Sequence, residues 1–160
     1  MTALEVLQAK LPALGHRNWV LVADAAYPEQ CAPGIETVVT DEGLVETLRA
    51  VLQLVETSPH VRAVALLDLE LNVLEETDLP GVEQIRDEIM SSLAFLSVEV
   101  QLHEEILNQM AAAATTYKVF VIKTPCTIPY TSVFLRLECG YWNSDQEARL
   151  REQLEKCQTQ

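Results

Sequence analysis

Glycine is scarce in this chain. Its five glycines stand at 15, 34, 43, 81 and 140, too far apart for a GxGxxG turn, and no GxxxxGK(S/T) phosphate loop occurs. Nucleotide binding through either motif is excluded. A GxSxG nucleophile elbow is also missing, which argues against an α/β-hydrolase. Basic residues are few, 11 against 24 acidic, for a net charge of 11 − 24 = −13. Nucleic acid is therefore not an expected partner, because neutralising phosphates takes clustered Lys and Arg. With no polybasic patch or basic amphipathic stretch, a membrane partner is not expected either. Apolar runs are strand-sized, well short of the roughly 20 residues that span a bilayer.

Paired cysteines are absent too. Cys31, Cys126, Cys139 and Cys157 lie far apart with no CxxC. The apolar pattern of the first residues is broken by Glu5 and Lys10, so no secretory signal is expected. The expectation is cytoplasmic localisation with four free thiols. His16, His60 and His103 follow no HExxH or paired spacing, so no metal is expected.

What remains is an ordinary globular composition, 49% hydrophobic and 22% charged over 160 residues, which fits one domain burying about 70% of its unfolded surface. Leu4, Leu7, Leu11 and Leu14 predict an amphipathic helix over 3–14. Trp19 to Ala23 is a continuous apolar run, the pattern of a strand covered on both faces, and Val61 to Asp68 reads as a second buried strand. Between them, 25–41 reads as a structured loop around a short strand, Glu36 to Val39, and Asp41 is a candidate cap for a helix over 42–57. The segment Asp68 to Asp78 reads as a solvated acidic loop, ahead of a helix from about Pro80 to Ser92.

A strand over Phe95 to Leu102 and a helix over His103 to Ala114 follow. Late strands are expected at Tyr117 to Lys123 and Ser132 to Glu138, then a charged helix from Ser144 to Cys157 with Ser144 as its cap. Alternating strands and helices predict an α/β fold: a three-layer α/β/α single domain with a largely parallel or mixed sheet. Residues 1–143 form its body and 144–160 a C-terminal helical extension of the same domain.

In such sheets the site lies at the carboxyl ends of the strands. Asp24 ends the first apolar run, and His16 lies eight residues before it. If a loop folds back, the two make the carboxylate–imidazole pair of a proton-transfer site.

The stretch Leu14-Gly15-His16-Arg17-Asn18-Trp19-Val20-Leu21-Val22-Ala23-Asp24-Ala25-Ala26-Tyr27-Pro28 resembles the N-terminal signature of the D-ribose pyranase and L-fucose mutarotase (RbsD/FucU) family. His103-Glu104-Glu105 and Cys126-Thr127-Ile128-Pro129-Tyr130 resemble two further pieces of it, in the same order. The resemblance covers about residues 4–141. It implies a cofactor-free isomerase that interconverts ring forms or anomers of a monosaccharide, working as a ring-shaped homo-oligomer, commonly a decamer, with each sugar site completed by a neighbour. By position, His16 is then the catalytic acid/base and Asp24 its orienting partner. His103 and Tyr130 bind sugar hydroxyls or assist proton transfer, Tyr130 across an interface, and Ser132 and Arg17 are further substrate contacts. The family's usual Asn is Ser132 in this chain, and the ribose branch's Lys is Leu107. A non-catalytic monosaccharide-binding or regulatory module on the same fold is the alternative reading.

Overall fold

Two mutually parallel strands flank the reversed strand at the middle of the sheet, and both arise from the buried apolar segments. In the computed structural model, which describes residues 1–159, these are β1 (Trp19–Ala23) and β3 (Val61–Asp68). The other strands are β2 (Ile35–Val39), β4 (Ser97–Gln101), β5 (Val119–Lys123) and β6 (Val133–Cys139). They form one six-stranded sheet in the order β2-β5-β1-β6-β3-β4. Within it β1, β2 and β5 pair in parallel, as do β3 and β4. Only β6 runs the other way, wedged between β1 and β3.

The helices are α1 (Ala3–Lys10), α2 (Leu44–Glu56), α3 (Val82–Ser92), α4 (His103–Ala114) and α5 (Ser144–Gln158). Side chains alternate across a strand, and the core divides accordingly. Val20, Val22, Ala65, Leu67, Phe120, Ile122 and Leu135 face Leu7 of α1, Leu48 and Val51 of α2 and Ile89 of α3. Trp19, Leu21, Leu66, Val121 and Phe134 face Ile106, Met110 and Ala114 of α4. The expected three layers are present, with three helices on one face and α4 on the other. Helix α5 buries no side chain.

The differences from the sequence expectations lie at helix ends. The first helix stops at Lys10 and continues as a tighter 3-10 turn, Leu11–Ala13, where Pro12 removes an amide donor. Gly43, not Asp41, occupies the N-cap of α2. Gly81 stands ahead of α3 in a left-handed conformation (φ 94°), which leaves Pro80 in the preceding turn. Asn143 caps α5 through a reciprocal pair with Gln146, so Ser144 is its first helical residue instead of its cap. All four cysteines are free. Among the described residues no helix is long and apolar enough to cross a membrane.

Candidate functional site

Parallel strands bring their carboxyl ends to one rim, and the reversed β6 brings its amino end to the same rim. Four of the residues expected from the sequence meet there. Asp24 follows β1, and its Oδ1 accepts the Ser132 hydroxyl at 2.7 Å. Ser132 Oγ in turn accepts the Asp24 backbone N–H at 3.1 Å. This closed loop fixes the carboxylate, and Ser132 itself is buried. Tyr130 lies two residues before, at φ 62°, a conformation a bulky side chain adopts only where its surroundings impose it. The imposing contacts are visible. Thr131, fully buried, donates to the Ile128 carbonyl at 2.7 Å, and Ala25 N–H donates to the Cys126 carbonyl at 2.8 Å.

His103 opens α4 from the other side of the rim. The Glu70 carboxylate accepts its backbone N–H at 3.0 Å, which caps the positive end of the helix with a negative charge. The imidazole packs edge-on against Tyr130 (5.6 Å between centroids) and Phe134 (6.3 Å). Tyr130 therefore meets His103 of its own chain. The His103 Nδ1 lies 2.9 Å from Oδ2 of Asp68, the last residue of β3.

Asp68 corrects the reading of 68–78 as a solvated loop: it is 1% exposed. Burial pushes its carboxyl up to about 6, against the pull of His103 and with added repulsion from Glu70 and Asp24. Leu69–Val73 forms a 3-10 turn with Leu71 buried, which folds Glu70 toward α4. Tyr27 is buried next to these acids, and its hydroxyl donates to Gln30 Oε1 at 3.1 Å. Burial, with the charges of Asp68 and Asp24, pushes its phenol well up. Asp68, Glu70, Tyr27 and Phe134 were not foreseen as site residues. One signal for Asp68 was in the sequence: like Asp24, it ends an apolar strand segment.

The pairing of His16 with Asp24 does not form within the chain. The five residues of β1 separate them, roughly 16 Å of extended chain, so no turn folds one back on the other. Instead His16 Nδ1 lies 3.0 Å from Glu138 at the opposite rim, with the imidazole 53% exposed. Arg17 shares that rim. It adopts φ 77° and donates to the Tyr117 hydroxyl at 3.0 Å, its guanidinium 5.8 Å from the ring centre. Next to them is an open pocket of about 620 Å³, whose lining includes His16, Arg62, Glu138, Trp142 and Glu147.

Together these features define the chain's class: a mixed α/β sheet with one reversed strand and a polar cluster where that strand begins. Solved structures share the architecture. RbsD of Bacillus subtilis, complexed with D-ribose, superposes with a TM-score of 0.60 at 18% identity, over 83% of this chain and 91% of that one. FucU of Bifidobacterium longum gives 0.54 at 18%, over 84% and 92%. The fucose mutarotase of Streptococcus pneumoniae, in complex with L-fucose, gives 0.53 at 18%, over 83% and 91%. The chain has the RbsD/FucU fold. No protein-family model and no curated protein matches it.

Proposed function

We propose that the chain is a monosaccharide mutarotase or pyranase that needs no cofactor. The observation that carries this reading is the convergence of Asp24, His103, Tyr130 and Ser132 on one rim, on a fold shared with proteins solved with D-ribose and L-fucose. Ring opening removes a proton from the anomeric hydroxyl as the carbonyl forms. The bond from the anomeric carbon to the ring oxygen breaks, and that oxygen takes up a proton. Closure reverses these steps, on the other face for an anomer or through another hydroxyl for a new ring size. An imidazole near pKa ~6.5 suits both transfers near neutrality.

His103 supplies one of the two groups this chemistry needs. Asp24, held by Ser132, and the Tyr130 hydroxyl grip sugar hydroxyls. The second group is His16 of a neighbouring copy in a homo-oligomer, because the chain's own His16 lies at the far rim. Arg17 accompanies it.

The test is two-dimensional exchange NMR on a panel of reducing sugars. The wild type accelerates ring-form or anomer exchange of one sugar, and His103→Ala lowers that rate by ~10²–10⁴-fold while remaining folded. His16→Ala and Asp24→Asn, each inactive alone, regain about a quarter of wild-type activity when co-refolded in equal amounts, since a site then draws its two halves from different copies. No regain means that the halves do not meet between chains. Binding of a sugar without accelerated exchange moves the protein to the non-catalytic module.

A further inference from the structure

Asp68 is an unusual carboxylate for a purely structural role. Its Oδ2 meets His103 Nδ1 at 2.9 Å, but its Oδ1 is buried and has no hydrogen-bond partner. Buried polar atoms are normally paired, and an orphaned one costs on the scale of a lost hydrogen bond. A carboxylate kept only for stability would have both oxygens satisfied or would be replaced by an apolar residue. The strand spends this position on an acid aimed at one ring nitrogen.

Building on the sugar-isomerase reading, we propose that Asp68 is a positioning residue for His103, holding its Nδ1 proton and leaving the Nε2 lone pair as the group offered to substrate. The geometry supports each part. Nδ1 is 2.9 Å from the carboxylate, so in the neutral ring it is the protonated nitrogen, and Nε2 is then the base. The Glu70 carboxylate anchors the His103 main chain, while Tyr130 and Phe134 hold the ring edge-on from two directions. Three independent restraints thus fix backbone, ring plane and tautomer. When the ring takes the substrate proton, the adjacent Asp68 stabilises the imidazolium without itself touching the sugar.

The charged and titratable groups around Asp68 are His103 from α4, Glu70 from the 3-10 turn, Asp24 at the end of β1 and the Tyr27 phenol. Among these His103 is the only cation-forming group.

Asp68→Asn keeps the shape and removes the charge. The readout independent of activity is the ¹⁵N spectrum of His103 in the full-length protein. The wild type shows the Nδ1–H tautomer at neutral pH, and the variant shifts toward Nε2–H as the Asn amide donates to Nδ1. In the exchange assay the variant loses ~10²-fold or more in kcat with KM changed less than about threefold, and Asp68→Glu recovers part of the loss. A wild-type His103 found as Nε2–H, or a tautomer unchanged in Asp68→Asn, overturns the positioning role. If the wild type turns over no sugar yet shows Nδ1–H that depends on Asp68, the positioning stands and the sugar reading fails. Should Asp68→Asn fail to fold, Asp68→Ser serves for the same spectrum.

Discussion

The two rims of the sheet use the same residue types for different ends. At the carboxyl rim a histidine meets a carboxylate that is buried, half-satisfied and shifted toward protonation. At the amino rim another histidine meets Glu138, which is partly exposed and also held by Arg136 at 3.1 Å, itself paired with Glu99. Water screens the second pair, and each charge has a counter-charge. The first pair is desolvated and short of partners. The amino rim has the roomy pocket and the carboxyl rim has the tension, so volume and reactivity point to opposite ends of one molecule.

This contrast can be broken in the currency of folding free energy. The largest change is expected from Gly140→Ala at the amino rim, where an added Cβ would lie 2.4 Å from the Pro59 carbonyl oxygen and 2.8 Å from Val61 N. Both are backbone atoms that cannot swing aside. A loss of roughly 1–3 kcal/mol in a urea titration is expected, and a neutral result would show that this rim is looser than its contacts imply.

Asp68→Asn comes next, and its sign is opposite. The carboxyl rises from 3.8 to about 6 on folding. Between those values the unfolded chain releases a proton that the fold retains, so rising pH erodes stability through this window and the cost is complete above it. The variant therefore gains on the order of 1 kcal/mol at pH 8, a few degrees in Tm, and the gain vanishes by pH 4. A lower Tm at pH 8 would mean that the carboxylate is a stabilising ion. The smallest effect is Glu138→Gln, below ~1 kcal/mol and weaker still in 0.5 M salt. A larger loss would make the amino rim as finely balanced as the other.

Much of this was legible in the sequence where one signal decides a segment. β1, β3 and α4 have the expected bounds because apolar segments and a clean helical period leave no competing reading. Helix starts were less so. A capping Asp and a glycine that adopts an open backbone are equally good local stops, and only packing chose Gly43 and Gly81. Of the site, Asp24, His103, Tyr130 and Ser132 were visible through the family-like motifs. Asp68 was hidden in an acidic stretch, because charge density cannot tell which acid is folded inward. The His16–Asp24 pair does not close within one chain because the length of β1 lies between them.

The reversal of β6 has a consequence for counting. Ser132 precedes its first residue and Glu138 lies next to its last, so this single strand ties the two rims to opposite poles of each copy. If one pole serves a neighbour's opposite pole, two arrangements exist. Side-by-side pairing about a two-fold axis completes two sites at one interface and stops at a dimer. Head-to-tail contact completes one site per interface and must go on adding copies until the rotation closes into a ring. The ratio of completed sites to interfaces, two or one, thus separates a dimer from a ring.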